Sequence, residues 1–100
     1  MKTTIQENDK VMVAVFEGRL DTAAAAETGK ALAPLYEANG RDIIFDCNAL
    51  DYISSSGLRL LLGVLKAAKP QGSQVTITGI NDDLRQVFAL TGFTNLFNFT

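Results

Sequence analysis

The chain has 100 residues, of which 47% are hydrophobic and 20% are charged, and its formal net charge is −2. This composition is typical of a globular domain, and the slight acidity argues against a protein that binds a phosphate backbone. One cysteine cannot form an internal disulfide, and without histidine no serine–histidine or cysteine–histidine pair can act as a nucleophile. No apolar stretch could span a membrane and residues 1–7 do not form a signal peptide, so we expect one cytoplasmic domain over residues 1–100.

The N-terminal part of the chain predicts two neighbouring strands. Thr3–Gln6 is a short strand candidate, and Val11–Phe16 is a continuous apolar run rich in β-branched residues. Such a run predicts a strand that is covered on both faces. The short polar turn between the two segments suggests an antiparallel pair, and Gly18–Asp21 is expected to end the second strand.

A helix and a third strand are predicted next. Asp21 or Thr22 can cap a helix that begins near Ala23, because a short oxygen-bearing side chain can accept an unpaired backbone N–H. The helix is expected to run towards Ala38 and to stop at Asn39–Gly40. Pro34 removes a helical hydrogen bond, so we expect a kink or an early break there. Asp42–Cys47 then contains the apolar run of a short buried strand.

The second half of the chain predicts two more helices and two more strands. Gly57–Lys69 has apolar residues at helical spacing, and Val75–Thr78 alternates as a strand does. Asn81 can cap a third helix that Gly92 closes, and Leu96–Phe99 is a possible edge strand. The order β-β-α-β-α-β-α-β predicts an α/β fold with a mostly parallel central sheet and an antiparallel N-terminal pair.

The carboxyl ends of parallel strands gather at one edge of a sheet, where function usually sits in open α/β folds. The loops expected there are Gly18–Asp21, Asp46–Ser56 and Gly79–Asn81. Asp21, Asp46 and Asp51 could together bind Mg²⁺, but capping and solvated loop roles are commoner for such residues. No phosphate-binding glycine motif is present, Cys47 is interpreted as a small core residue, and no metal or other cofactor is expected.

The serine triplet Ser54–Ser56 before the Gly57–Lys69 helix admits two interpretations. Serines ahead of a helix are ordinary caps in an ordinary polar loop. The same serines could form a regulatory phosphorylation site, because a phosphate of about −1.5 to −2 charges would meet free N–H groups and the positive end of the helix dipole. Arg59 could also reach back to that phosphate from three residues beyond Ser56.

The same helix carries two apolar faces. The first contains Leu58, Leu61, Leu62, Leu65 and Ala68. The second contains Leu60, Val64 and Ala67. One face can rest on the sheet, while the other can pack on a neighbouring helix or on a partner protein.

The segment Asp46–Leu58 resembles the signature of the STAS domain, the fold of bacterial anti-sigma factor antagonists. In that family a strand ends in Asp, and a turn such as Asp-Ser-Ser-Gly-Leu opens a helix. Gly18–Asp21 resembles the family's Gly-x-Leu-Asp turn, and Asn81–Phe88 with Thr91–Phe93 resembles its late helix and the turn after it. The resemblance covers essentially the whole chain.

The resemblance implies a partner-switching regulator and not an enzyme. In this family the unphosphorylated antagonist binds an anti-sigma factor that is also a serine kinase, which frees the sigma factor. Phosphorylation of one serine breaks the complex, and a separate serine phosphatase restores it. Alignment on the Gly-Leu pair makes Ser56 the acceptor and Ser55 the second candidate, while Ser54 stands where the family often has Asp. The residues expected in the switch loop or at the partner surface are Asp21, Ser54, Ser55, Gly57, Leu58, Arg59, Leu60 and Val64.

Two other functions stay open. A non-switching STAS subunit could serve as the interaction part of a transporter or signalling assembly, using the same surface without a phosphate. An enzyme at the carboxyl edge of the sheet would show turnover that depends on Asp21. Neither nucleic-acid binding nor membrane insertion is expected.

Overall fold

The computed structural model describes residues 1–100, and five strands form a single sheet. The strands are β1 (Lys2–Glu7), β2 (Val11–Leu20), β3 (Asp42–Ile53), β4 (Val75–Thr78) and β5 (Asn98–Phe99). The helices are α1 (Thr22–Ala31), α2 (Ser55–Ala68) and α3 (Asp82–Leu90). Short 3₁₀ turns follow them at Ala33–Glu37, Lys69–Gln71 and Phe93–Asn95.

The order of the strands in the sheet is their order in the chain. β1 pairs antiparallel with β2, and the pairs β2–β3, β3–β4 and β4–β5 are parallel. This confirms the predicted element order and the mostly parallel sheet. Each crossover steps in the same direction, and crossovers of this kind are right-handed, so all three helices belong on one face of the sheet.

Burial along β2 shows the same one-sided arrangement. Met12, Ala14 and Phe16 are buried, whereas the alternate residues Val11, Val13 and Val15 are only half-buried. We call the side with the buried residues the helix face and the other side the open face. The prediction that this strand is covered on both faces is wrong, because the sequential strand order brings no helix to the open face.

β2 and β3 both continue beyond their predicted ends. β2 includes Gly18–Leu20, which we expected to end it, and β3 runs on from Cys47 to Ile53. The pairing register of the two strands shifts near Glu17 and again after Gly18, as β-bulges allow. Most of the expected loop before Ser56 is therefore strand, and only Ser54 separates β3 from α2.

Of the kink and the early break expected at Pro34, the structure has the early break, so the prediction that the helix runs towards Ala38 is wrong. α1 ends at Ala31, and Pro34 lies in the first turn of the following 3₁₀ segment, where its missing N–H is not needed. The side chain of Gln71 holds this turn against the end of α2. Its Nε2 donates to the carbonyl oxygen of Tyr36 at 2.8 Å, and its Oε1 accepts from the backbone N–H of Asn39 at 2.7 Å.

The C-terminal part keeps the predicted helix but has a shorter last strand. Asn81 caps α3, because its Oδ1 accepts from the backbone N–H of Leu84 at 2.8 Å. β5 has two residues in place of the four predicted. Phe88 of α3 packs edge-on against three other rings at centroid distances of 5.6–6.5 Å. Those rings belong to Phe93, Phe97 and Phe99.

Candidate functional site: the start of the second helix

The carboxyl ends of β2 and β3 lie side by side. Leu20 pairs with Ile53 in register, and the backbone N–H of Ser54 donates to the carbonyl oxygen of Leu20 at 2.8 Å. Asp21 directly follows β2, and Ser54 directly follows β3. The structure therefore brings the starts of α1 and α2 together at one edge of the sheet.

The three serines occupy different environments. Ser54 is 9% exposed, and its Oγ accepts from the backbone N–H of Gly57 at 3.2 Å, which makes it the N-cap of α2. Ser55 and Ser56 are the first two residues of the helix, where backbone N–H groups have no helical acceptor. Ser55 is exposed and Ser56 is half-buried. Ser54 is therefore the helix cap, and the hydroxyls of Ser55 and Ser56 take no part in capping.

Asp21 is the N-cap of α1. Its Oδ1 accepts from the backbone N–H of Ala24 at 2.9 Å, and its charge lies at the positive end of the helix dipole. Asp46 instead accepts from the backbone N–H and the side-chain amide of Asn48 at 3.1 and 2.8 Å. No three carboxylate, cysteine or histidine side chains lie close enough to hold a metal, so the acidic residues of this edge do not form one site.

Gly57 contributes to the site through close packing. A Cβ atom on Gly57 would lie 2.7 Å from Cγ of Leu20 and 2.9 Å from Cγ1 of Ile53. Its backbone is helical and buried. The expectation that Gly57 meets a partner or a phosphate is therefore corrected: its lack of a side chain lets the start of α2 rest on the ends of β2 and β3.

The second apolar face of α2 packs within the protein. Val64 is 0% exposed, and Leu60 lies over Gly29 of α1, with its Cδ2 3.2 Å from the position of a Cβ there. Leu58 on the first face is buried as well. The second apolar face of α2 therefore packs on the neighbouring helix α1 and not on a partner protein. Leu58 and Val64 belong to the core and not to an exposed partner surface, which corrects our expectation for both.

The exposed residues around the helix start include two that the sequence did not indicate. The guanidinium carbon of Arg19 lies 4.4 Å from the centre of the Tyr52 ring, and Tyr52 is 39% exposed. Arg59, which the sequence did indicate, is exposed on the first turns of α2. Arg19 and Tyr52 were missed because both fell in segments interpreted as loops, and only their positions in a continuous strand pair bring them together.

Cys47 is buried in β3, as predicted for a core residue. Burial, with a smaller contribution from the negative charge of Asp46, raises the pKa of its thiol to about 12. The thiolate is therefore scarce near neutral pH, and Cys47 is not a nucleophile at this edge.

The fold and this edge define a class of protein: a small α/β domain in which the helices cover one face of the sheet and accessible serine hydroxyls lie at the capped start of a helix. Residues 2–100 match the family model described as the STAS domain. The chain belongs to the STAS domain family.

The relatives of the chain are regulatory proteins. The chain is 31% identical over 97 residues to BtrV of Bordetella bronchiseptica, provisionally named an anti-sigma factor antagonist, covering 97% of this chain and 84% of that protein. It is also 31% identical over 96 residues to the anti-sigma-B factor antagonist of Staphylococcus aureus, covering 96% and 87%. Anti-sigma factor antagonists with this domain are binding proteins and not enzymes.

The fold is shared with a solved structure in which the protein is phosphorylated. The Bacillus cell fate determinant SpoIIAA in its phosphorylated form matches with a TM-score of 0.75 at 18% identity, covering 99% of this chain and 91% of that one. Within the present chain, no helix combines the length and apolar character needed to cross a membrane.

Proposed function

We propose that this chain is an anti-sigma factor antagonist whose partner binding is switched off by phosphorylation at the start of α2. The observation that carries the proposal is the pair of unused serine hydroxyls at the first two positions of this helix, beside the capping Ser54. The names of its relatives supply the class of partner, an anti-sigma factor. We place this exchange in the cytoplasm, with transcription by a sigma factor as its output.

Exposure supports one of the serines as the better acceptor. Ser54 is excluded because its hydroxyl is buried and holds the backbone N–H of Gly57. Alignment on the Gly-Leu pair favours Ser56, but Ser55 is exposed whereas Ser56 is half-buried. A kinase must reach the hydroxyl oxygen, so we propose Ser55 as the first acceptor and Ser56 as the second.

A phosphate at this position would change binding and leave the fold intact. At the first turn of α2 it would meet unpaired N–H groups and the positive end of the dipole, a favourable contribution of about 0.3–1 kcal/mol. Exposed Arg59 lies one turn after Ser55, at a spacing that lets its side chain approach the phosphate. The added charge of about −2 would instead repel a partner that binds at this edge, and the bulk of the phosphate would block its approach. The kinase is then the anti-sigma factor itself, and a serine phosphatase reverses the step.

The first experiment maps phosphate on the protein from its native cells. Trypsin releases residues 42–59 as one peptide that carries all three serines, and fragmentation of that peptide distinguishes them. We expect phosphate on Ser55 or Ser56 that is removed by phosphatase. A peptide that stays unmodified through growth and stress would overturn the switch.

The second experiment measures capture of the anti-sigma factor by variants. Ser55→Asp should abolish the complex, while Ser55→Ala should retain it. Thr94→Asp is the matched control, because it adds the same charge at an exposed position in the turn that precedes β5. Full binding by both Ser55→Asp and Ser56→Asp would favour a non-switching STAS subunit, in which the same surface forms a constitutive complex.

A further inference from the structure

The six asparagines of the chain differ in what holds their side chains and in the residue that follows them. Four of the carboxamides are fixed by hydrogen bonds within the chain, those of Asn8, Asn48, Asn81 and Asn98. The carboxamides of Asn39 and Asn95 make no hydrogen bond, and both residues are exposed. Of these two, only Asn39 is followed by a glycine. Asn39 is therefore the one asparagine with a free side chain and an unhindered neighbour.

Asn39 and Gly40 form the tight turn between the first 3₁₀ segment and β3. Both residues have positive φ, 55° and 87°, and the backbone N–H of Arg41 donates to the carbonyl oxygen of Ala38 at 3.1 Å. These features define a type I′ turn, for which Asn-Gly is a preferred pair. The backbone N–H of Gly40 has no hydrogen-bond acceptor in the chain, and glycine carries no Cβ that would shield its nitrogen.

We propose that Asn39 is a site of spontaneous deamidation, which converts it to aspartate or isoaspartate. The backbone nitrogen of Gly40 loses its proton and bonds to Cγ of Asn39, while the bond from Cγ to Nδ2 breaks and ammonia leaves with that proton. The product is a succinimide ring, which water opens at one of its two carbonyl carbons. Opening at Cγ gives aspartate, and opening at the main-chain carbonyl carbon gives isoaspartate. Water is the only co-reactant.

The turn has to open locally before the ring can close. Formation of the succinimide rotates the peptide plane after Asn39, so the hydrogen bond between Ala38 and Arg41 must break first. The turn is exposed, and exposed backbone hydrogen bonds open at a lower free energy than those of the core. The reaction should therefore be slower in the folded chain than in the unfolded chain, but faster at Asn39 than at the other asparagines.

Isoaspartate at position 39 would change the main chain as well as the charge. The chain then continues through Cγ, which inserts one carbon into the turn and displaces Arg41 from Ala38. Gln71 accepts from the backbone N–H of Asn39 and donates to the carbonyl oxygen of Tyr36, so the modification would loosen the turn from the end of α2. The 14 residues of α2 span about 20 Å, which separates this turn from the serines. The inference therefore does not depend on the proposed function.

Incubation of the folded, full chain in mildly alkaline buffer at physiological temperature tests the proposal. Trypsin releases residues 31–41 as one peptide, in which Asn39 is the only amide side chain. We expect this peptide to gain one mass unit and to separate into two products on chromatography. Its conversion should be at least about tenfold faster than that of Asn95, which is followed by leucine. An Asn39 that stays intact in the folded chain overturns the proposal, and so does conversion of Asn95 at an equal or higher rate.

Two variants separate the chemistry from its structural effect. Asn39→Gln should stop the mass gain in this peptide, because the longer side chain would have to close a larger ring. Asn39→Asp carries the charge of the product without the extra main-chain carbon. The isoaspartate form, isolated by ion exchange, should therefore unfold at a lower urea concentration than Asn39→Asp. Equal midpoints for the two would contradict the expected loosening of the turn, and an unchanged mass gain in Asn39→Gln would contradict the assignment to Asn39.

Discussion

The backbone N–H of Ser54 donates to the carbonyl oxygen of Leu20 at 2.8 Å, which fastens the start of α2 to the end of β2. The two strands that end here remain paired up to Leu20 and Ile53, so the serine segment has a strand pair directly behind it. Ser55 and Ser56 thus lie directly beyond a hydrogen-bonded strand pair. We therefore expect the proposed phosphorylation to act through the charge of the surface and not through refolding of a loop.

Ser54→Ala should lower the free energy of unfolding by about 1 kcal/mol, because the backbone N–H of Gly57 loses its acceptor. Urea unfolding followed by circular dichroism measures the change. Ser54→Asp should retain most of the stability, since a carboxylate can cap in the same way and also favours the helix dipole. Ser55→Ala should have little effect, and a larger loss for Ser55→Ala than for Ser54→Ala would contradict the assignment of the cap.

Gly57→Ala should destabilise the protein even though alanine favours helices. The new Cβ would lie within 3 Å of side-chain carbons of Leu20 and Ile53, and such overpacking costs about 1–3 kcal/mol against a gain in helix propensity of about 1 kcal/mol. We expect a net loss of up to about 2 kcal/mol in urea unfolding.

Gly63→Ala is the matched control on the same helix. A Cβ there would lie 2.7 Å from the hydroxyl oxygen of Tyr36, the far end of a side chain that is 41% exposed and can move away. This variant should be neutral or should gain about 0.5–1 kcal/mol. If Gly57→Ala and Gly63→Ala change the free energy of unfolding by the same amount, close packing on the strand ends does not explain the effect of Gly57→Ala.

The Cys47 thiol should make stability fall as pH rises above about 9. Its pKa is 9.0 in a model peptide and about 12 in the folded protein, chiefly because of burial. Between these values the unfolded chain loses the proton while the native chain keeps it, so the unfolded state is favoured increasingly as pH rises. The contribution of the protonated Cys47 thiol to stability is fully present below pH 9 and is lost as the pH rises towards 12.

Unfolding free energies of wild type and Cys47→Ala, compared from pH 7 to about 10.5, measure this contribution. The wild-type curve should fall more steeply above about pH 9, by up to about 1.4 kcal/mol per pH unit. A thiol reagent should also modify native Cys47 at least about 100-fold more slowly than the urea-unfolded chain at pH 8. Parallel stability curves or rapid labelling of the native protein would contradict the burial of this thiol.

Phe88→Ala should be among the most damaging substitutions in α3. Phe88 is buried and contacts three other aromatic rings, and removing such a side chain costs about 3–5 kcal/mol. Leu90→Ala, on the same helix but 87% exposed, should change stability by less than about 0.5 kcal/mol. Should Phe88→Ala fail to fold, Phe88→Leu provides a milder test, with a loss of about 1–2 kcal/mol in urea unfolding.

Local patterns in the sequence predicted the elements well, because most of the signals were short-range. Asn81 before an apolar stripe predicted a cap that the structure contains, and Pro34 predicted the end of a helix for a steric reason that needs no tertiary context. The cap of α2 was harder to predict. Any of three consecutive serines could fill that position, and only the hydrogen bond from Gly57 to Ser54 decides between them.

The errors came from features that depend on pairing across the sheet. Residues such as Gly18 and Asn48 are typical of loops, but bulges allow β2 and β3 to continue through them. The role of Gly57 depends on how closely Leu20 and Ile53 approach it, which no local pattern encodes. The half-buried state of Val13 likewise depends on the side on which the helices lie. An apolar run in sequence cannot distinguish a strand covered twice from one covered once.

The sequential order of the strands also bears on how the chain folds. Each new strand pairs with the one completed just before it, and no strand is inserted between two earlier ones. During synthesis, the β1–β2 hairpin can form first, and each helix and strand that emerges can then add to an existing edge. Long loops need not close before contacts form, so loop-closure entropy slows folding less than in sheets with interleaved strands. We therefore expect rapid folding for a parallel sheet, with the β4–β5 edge completed last.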